Sequence, residues 1–234
     1  MKQFPQAMAF MAGLTLCAHV GAATISFDLT QSNLAGFPNG TPYLELTIFD
    51  GADAAGKNVG SYTALSSDVV FELTPLTALT QQAHNKFGVV EFAFNTTELT
   101  SLYSTANFKL PAGWSASTGP ANESGFGKFD LVTLTHGANG AQNPLWFALT
   151  GLAGDSAATY TDLSSGHAGL GNVDFVAHVV NFCDGEDGSG WFGGGTPVGT
   201  VPIPISGWLL LTGLMALLGA GTRRRPLGFA DRVR

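Results

Sequence analysis

The chain carries little charge, and its positive charges are concentrated at the carboxyl end. Charged residues make up 12% of the 234 residues, compared with 31 glycines and 17 phenylalanines. All five arginines lie at position 223 or later, whereas the region from Thr24 to Thr200 holds four lysines and sixteen acidic residues. Because such an acidic body repels the phosphates of DNA and RNA, we expect no nucleic-acid partner.

Cysteine is almost absent as well. Cys17 lies in an apolar stretch near the amino terminus, and Cys183 is the one cysteine in the rest of the chain. If Cys17 is removed with a leader, no disulfide can form within the mature chain. We expect Cys183 to be a small buried residue, with pairing to a second chain as the alternative.

Several enzyme motifs are also missing. The sequence has no Gly-x-Ser-x-Gly nucleophile elbow, no His-Glu-x-x-His or Cys-x-x-Cys zinc signature, and no Gly-x-x-x-x-Gly-Lys-Ser/Thr phosphate loop. We therefore expect a protein that is not an enzyme.

The amino terminus has the three parts of a secretory signal peptide. Met1-Lys2 supplies a short positive region, residues 8–20 are mainly apolar, and Gly21-Ala22-Ala23 supplies small residues at a cleavage point. Cleavage after Ala22 or Ala23 would leave Thr24 to begin the first strand. We assign residues 1–23 to a signal peptide and expect an exported protein.

The carboxyl end predicts a membrane segment. Residues 201–221 carry no charge, and Arg223, Arg224 and Arg225 follow them. Because Pro202 and Pro204 disfavour an earlier start, we expect a helix of about 17 residues from near Ile205, which is the lower limit for spanning a bilayer. Trp208 suits the outer interface and the arginines the cytoplasmic side, which leaves a short cytoplasmic tail over 226–234.

The order of these tail features resembles the PEP-CTERM sorting signals of Gram-negative bacteria. The shared features are Val201-Pro202-Ile203-Pro204, the apolar helix with Trp208 and the basic cluster Arg223 to Arg225. The tail is most similar to the variant with Val-Pro-Leu-Pro, with Ile203 in the third position. The resemblance implies that residues 201–225 are recognised by an exosortase, a membrane processing enzyme, and that the body is released or transferred to the cell surface.

The body between the two ends predicts an all-β fold. Apolar and polar residues alternate, or β-forming residues cluster, in the segments 25–30, 44–49, 69–74, 90–94, 129–135, 145–150 and 173–180. Seven or more short strands with one apolar face each predict a two-sheet β-sandwich, with a jelly-roll topology as one form of it. We assign this domain to residues 24–187.

Three further segments have other predictions. Leu99, Leu102 and Tyr103 have the i, i+3, i+4 spacing of a short helix over 97–105. Residues 107–127 contain prolines and glycines that are typical of a loop. The glycine-rich segment from Gly188 to Gly199 predicts a flexible linker, which we bound at 188–200.

An acidic turn is the best candidate for a metal site. Asp184, Glu186 and Asp187 are clustered among glycines, and clustered oxygen ligands on a bent loop suit Ca²⁺. The spacing is not that of an EF-hand. Asp50-Gly51-Ala52-Asp53 is a weaker version of the same pattern, and a solvated acidic turn is the alternative for both.

Tryptophans and carboxylates are the candidates for carbohydrate binding. Trp114 and Trp191 lie among glycines and could stack on a sugar, whereas Trp146 lies in an apolar run and is expected in the core. Glu45, Glu72 and Glu91 lie on the polar faces of predicted strands, where two carboxyl groups could act as in a glycosidase or simply be solvated.

The histidines show no ligand spacing. The body contains four histidines, and we expect each to be a surface or hydrogen-bonded residue: His84, His136, His167 and His178.

Three functional hypotheses follow from the sequence. The first is a cell-surface or matrix-associated protein that acts through its surface, in adhesion or in interaction with exopolysaccharide. The alternatives are a carbohydrate-binding or carbohydrate-active protein and a permanently anchored single-pass membrane protein.

Overall fold

The protein is described by a computed structural model over residues 23–135, 137–166, 168–182 and 188–198. This part of the chain contains twelve strands and two short helices, α1 (Gly51–Ala54) and α2 (Thr77–Thr80). The strands are β1 (Thr24–Ser32), β2 (Leu44–Phe49), β3 (Asn58–Val59), β4 (Tyr62–Thr63), β5 (Val69–Pro75), β6 (Ala83–Phe94), β7 (Phe108–Lys109), β8 (Trp114–Asn122), β9 (Lys128–Thr135), β10 (Leu145–Leu149), β11 (Phe175–Phe182) and β12 (Ser189–Val198).

Ten of these strands form one continuous antiparallel sheet. Their order is β7-β10-β5-β2-β1-β12-β11-β6-β9-β8, and β3 pairs with β4 in a separate ribbon. The all-β prediction is confirmed. The sequence, however, suggested two separate sheets, whereas hydrogen bonds between β1 and β12 join the two halves into one.

The predicted alternation of apolar and polar residues holds in the strands that were identified from sequence. In β2, Leu44, Leu46 and Ile48 are fully buried, whereas Glu45 and Thr47 are half-buried. Each of the seven predicted segments overlaps an observed strand. The period-two pattern therefore located the strands with one polar face, because successive side chains point to opposite sides of a sheet.

Phenylalanines hold the two halves of the sheet face to face. The rings of Phe71 on β5 and Phe94 on β6 have centroids 5.2 Å apart, although five places in the strand order separate these strands. Phe147 on β10 stacks on Phe71 at 4.5 Å and reaches Phe92 on β6 at 5.8 Å. Such ring pairs add about 1 kcal/mol each beyond the area that they bury, so this cluster is a large part of the core.

The predicted linker at 188–200 is wrong, because Ser189–Val198 is the central strand β12. It pairs with β1 on one side and with β11 on the other. A Cβ atom at Gly194 would lie 2.4 Å from the Asp28 carbonyl oxygen, and one at Gly193 would lie 2.7 Å from the ring of Phe126. The glycines are therefore required by close packing across the strand, not by flexibility.

Two other local predictions are also wrong. Residues 97–105 do not form one helix: the 3-10 turns Thr100–Leu102 and Thr105–Asn107 stand there, and Leu99 and Leu102 are exposed. The predicted loop at 107–127 contains β8, an edge strand that pairs with β9. β8 contains Gly119 and Pro120, and an edge position tolerates such residues because one side needs no partner.

A second, smaller apolar cluster lies on the outer face of the sheet. Ala93, Val132 and Val176 come from three adjacent strands, and Phe126 and Phe129 pack on them with Val173. The turn that carries Phe126 follows β8, and the amide of Phe126 donates to the Glu123 carbonyl at 2.7 Å. This turn therefore covers part of the outer face.

The two ends of the sequence lie outside the described residues. The predicted signal peptide up to Ala22, the sorting motif Val201 to Pro204, Trp208 and the cluster Arg223 to Arg225 all belong to them. Within the described ranges, no helix has the length and apolar character needed to cross a bilayer.

Candidate functional site

A cleft of about 290 Å³ opens beside the 3-10 turn Thr100–Leu102. Its lining includes Glu98, Leu102 and Tyr103 from the segment after β6, and Leu152 and Asp155 from the loop after β10. Gly151 and Gly154 in that loop adopt positive φ angles of 75° and 77°, a conformation that favours glycine. The chain turns at these two glycines, and the loop folds back so that its polar and apolar side chains meet in the cleft.

A hydrogen bond joins Asp155, a half-buried residue of the cleft lining, to the buried Tyr160. Tyr160 belongs to the 3-10 turn Ala157–Tyr160, and its phenol donates to Asp155 Oδ2 at 2.5 Å. The amide of Ser156 donates to Asp155 Oδ1 at 2.9 Å. Tyr103, whose ring centroid lies 6.3 Å from that of Tyr160, shares a 2.8 Å hydrogen bond with Thr96 Oγ1. Both phenols are thus fixed in place.

Burial sets the protonation states in this region. Desolvation raises the pKa of Asp155 to about 6, against the opposing effect of its hydrogen bonds from Tyr160 and Ser156, and the nearby charge of Asp50 raises it further. Burial also raises the pKa of Tyr160 and that of Tyr103. At neutral pH both phenols are therefore protonated donors and the Asp155 carboxyl is mostly ionised.

The cleft offers hydrogen-bond acceptors against an apolar wall. Glu98 and Asp155 supply carboxylates, while Leu102, which is 56% exposed, and Leu152 supply hydrocarbon. Among the described residues that line the cleft, none is basic. Such a site favours neutral, hydroxyl-rich or cationic ligands and repels anionic ones, because no lining residue would neutralise an added negative charge.

A second group of half-buried polar residues forms a row across the outer face of the sheet. His178 on β11 is opposite Trp191 on β12 and Glu91 on β6. The imidazole and indole rings stack with centroids 4.7 Å apart and an interplanar angle of 8°. Burial lowers the pKa of His178 and raises that of Glu91. Glu123 directly follows β8. Its burial, and to a lesser extent the negative charge of Glu91, raise its pKa to about 7.

The structure separates the predicted tryptophans. Trp114 is the first residue of β8 and is 9% exposed, and its indole donates to the Gly140 carbonyl at 2.9 Å. It therefore has no free face for a sugar, and that prediction is wrong. Trp191 is half-buried, and one face of its ring is covered by His178. Stacking of a sugar on Trp191 stays a prediction.

Trp146 was expected in the core but is half-buried on the outer face. Its ring lies parallel to that of Phe49 with centroids 6.0 Å apart. The ammonium group of Lys57 lies 3.5 Å from the centroid of Phe49 and 5.6 Å from that of Trp146. This aromatic pair therefore already has a cation as its partner.

The predicted strand carboxylates do not form one site. Glu45 on β2 and Glu72 on β5 share an outer surface, where burial raises the pKa of Glu72, Glu45 raises it less and Lys57 lowers it. Glu91 lies on β6, in the other half of the sheet.

Asp50, part of the weaker acidic pattern, is 4% exposed and accepts two backbone hydrogen bonds. It acts as a buried structural carboxylate, so the calcium prediction for that turn is wrong.

Several predicted residues lie outside the described part of the chain. They are Asp184, Glu186 and Asp187 of the proposed calcium turn, Cys183, His136 and His167. Within the described ranges, no three side chains from histidine, cysteine, aspartate and glutamate come together in a way that could hold a metal ion. His84 is exposed near the start of β6.

The cleft itself was not predicted from sequence. Glu98, Tyr103 and Asp155 belong to segments separated by about fifty residues, and no motif joins them. The local signal was limited to turn glycines near Asp155, which predict a loop but not what it faces. Long-range packing of β6 and β10 brings these segments together.

Comparison of the chain with protein-family models, with curated proteins and with solved structures found no match. We therefore base a functional proposal on the sequence pattern and on the geometry of the described residues.

Proposed function

We propose that this chain is the precursor of an exported, non-enzymatic interaction protein of the cell surface or extracellular matrix. In this proposal a signal peptide is removed from the amino end, and an exosortase-type enzyme processes the tail at residues 201–225. The observation that carries the proposal is where the strands lie in the sequence: between the two proposed cleavage regions. β1 begins at Thr24 and β12 ends at Val198, so the sheet occupies the stretch between them.

The pairing of the first and last strands supports the same proposal. Ser26 is opposite Val198 and Phe27 is opposite Pro197, so the two ends of the body are adjacent antiparallel strands at the middle of the sheet. Cuts before Thr24 and after Val198 would remove no residue of any strand in the described part. The folded sheet would then act as a sandwich-like scaffold whose core survives the loss of both ends.

Variants of the tail motif test the proposal. In cells of the source organism, Pro202→Ala with Pro204→Ala is expected to leave the protein unprocessed in the inner membrane, whereas the native chain reaches the surface or medium. Pro38→Ala, an exposed loop proline of the body, is the matched control and should be processed normally. If the native chain itself stays full-length in the inner membrane, the tail is a permanent anchor and the sorting proposal fails.

A carbohydrate-binding role is the second candidate, and the cleft beside Tyr103 favours it. Carboxylates of Glu98 and Asp155 can accept hydrogen bonds from sugar hydroxyls, and Leu102 and Leu152 can cover the apolar face of a sugar ring. Because the lining is acidic, we propose a neutral saccharide of the exopolysaccharide as the ligand and not a uronic-acid polymer.

Binding measurements on the secreted protein test this role. Calorimetric titration with neutral and with uronic-acid oligosaccharides should give heat with the neutral ones alone. Glu98→Gln and Leu102→Ala should each weaken binding by about fivefold to fiftyfold, equivalent to about 1–2 kcal/mol. Glu45→Gln, a carboxylate on the outer face of β2 that does not line the cleft, is the control. Equal binding by all variants, or none by the native protein, would exclude the cleft.

A further inference from the structure

We propose that the signal peptide is cut after Ala22 and that the new α-ammonium group of Ala23 forms an ion pair with the buried carboxylate of Asp50. The proposal rests on the export proposed above and goes further, because it names the bond that is cut and the side chain that receives the new terminus. It thereby assigns a role to a buried carboxylate that the cleft does not use.

The geometry places the two groups together. The backbone nitrogen of Ala23 donates to Asp50 Oδ1 at 2.7 Å, and the amide of Asp50 donates back to the Ala23 carbonyl at 3.0 Å. Asp50 lies directly after β2, the strand that pairs with β1 in the register Thr24 opposite Phe49. Strand pairing therefore fixes the Ala23 nitrogen against this carboxylate.

Among the residues that the structure describes, no cationic side chain pairs with the carboxylate of Asp50. It is 4% exposed, and its second oxygen accepts a 2.8 Å hydrogen bond from the amide of Ala157. Both of its hydrogen-bond donors in the described part of the chain are backbone nitrogens, and Asp155 is a nearby group of like charge. Buried charges are costly unless they are paired. An ammonium at position 23 would supply the missing charge and a stronger, charge-assisted hydrogen bond.

The same geometry selects between two cleavage points that the sequence leaves open. Small residues precede both bonds, with Ala22 before one and Ala23 before the other. A cut after Ala23 would remove the nitrogen that lies 2.7 Å from Asp50 and leave this carboxylate with one of its two donors. A cut after Ala22 keeps that nitrogen and converts it from a neutral amide into a cation.

The pair would also connect processing to the cleft. Asp50 binds the amide of Ala157, the first residue of the 3-10 turn that ends at Tyr160. Tyr160 in turn hydrogen-bonds Asp155 on the cleft lining. Pairing of the new terminus with Asp50 would therefore hold this turn in place beside the cleft.

Amine labelling of the mature protein tests the proposal. The protein is purified from its own cells, labelled with acetic anhydride at neutral pH, and its amino-terminal peptide is identified by mass spectrometry. We expect the peptide to begin at Ala23 and its α-amine to react at least about tenfold more slowly in the folded protein than in urea. This comparison needs no variant, so it holds even where a substituted chain fails to fold.

Two variants make the assignment specific to Asp50. Asp50→Asn should restore fast labelling of the Ala23 amine in the folded protein. Asp53→Asn, which changes an exposed aspartate in the short helix that directly follows Asp50, should leave the labelling slow. The control also removes one negative charge near β1, so a difference between the two variants reports the specific pair and not the local field.

The outcomes separate this inference from the proposed export. A chain that begins at Thr24, or an Ala23 amine that labels freely in the folded native protein, overturns the ion pair and leaves export intact. A chain that retains Met1 overturns export itself, and the ion pair with it. An Ala23 terminus that is slow to label in the native protein and fast in Asp50→Asn supports both.

Discussion

The phenol of Tyr160 donates a 2.5 Å hydrogen bond to the carboxyl group of Asp155, and Tyr160 is fully buried whereas Asp155 is half-buried. The bond favours the ionised carboxylate, yet burial has the larger effect and raises the pKa of Asp155 to about 6. The contribution of Asp155 to the free energy of unfolding therefore depends on pH.

Asp155 should make the protein more stable as the solution becomes mildly acidic. An unfolded aspartate titrates near pH 4, so between about pH 4 and about pH 6 the folded state binds more protons than the unfolded state. The free energy of unfolding should therefore fall as the pH rises through this range. Asp155→Asn should remove this part of the profile in urea denaturation, and a variant profile parallel to the native one would contradict the assignment.

Glu123 should extend the same trend to neutral pH. It is 5% exposed and its pKa is raised to about 7. Its ionisation should therefore lower the free energy of unfolding progressively between about pH 4.5 and about pH 7, and the loss is complete above this range. Glu123→Gln should stabilise the protein by about 2 kcal/mol above neutral pH and by little in acid. Glu98→Gln, at an exposed carboxylate, is the control. A gain that is equal at all pH values would point to packing instead of ionisation.

Gly194→Ala should strongly destabilise the protein. The new Cβ would lie 2.4 Å from the Asp28 carbonyl oxygen and 2.6 Å from Leu29 Cα, both backbone atoms of β1. Overpacking of this kind costs about 1–3 kcal/mol or more. Gly119→Ala, at a strand glycine with open space around it, is the matched control and should cost little. Thermal unfolding measures both, and equal melting temperatures would contradict the central position of β12.

Trp191→Ala should raise the pKa of His178. The indole stacks on the imidazole and contributes to the burial that lowers this pKa. Loss of the ring would admit water, which favours the charged imidazolium, so the pKa should move towards its usual value. NMR titration of the histidine ring protons measures the change. Trp146→Ala, on the other half of the sheet, should leave His178 unchanged; an equal shift in both variants would indicate a general loosening.

The sequence predicted strands best where one face of the sheet is polar. β2 alternates Leu44, Leu46 and Ile48 with Glu45 and Thr47, and its bounds were predicted correctly. β12 has no such alternation, because Gly193 and Gly194 replace side chains that would collide with Phe126 and with β1. Composition alone cannot distinguish glycines required by close packing from glycines of a linker.

The candidate sites were harder to predict than the fold. Trp114 follows Gly113, a pattern that predicts an exposed loop residue, but it pairs with Thr135 on β9 and its side chain packs in the main core. Asp155 and Tyr160 lie in a segment without a motif, and their environment arises from contacts with Tyr103 and Asp50 that are distant in sequence. A local pattern cannot predict desolvation, since desolvation depends on which remote segments cover a residue.

Intact mass with terminal sequencing of the protein from its own cells, fraction by fraction, tests the central claim most directly. Export and sorting predict a surface or extracellular chain that begins at Ala23 or Thr24 and ends near Val201 to Pro204. A chain recovered from the inner membrane that still carries Arg223 to Arg225 would contradict the claim.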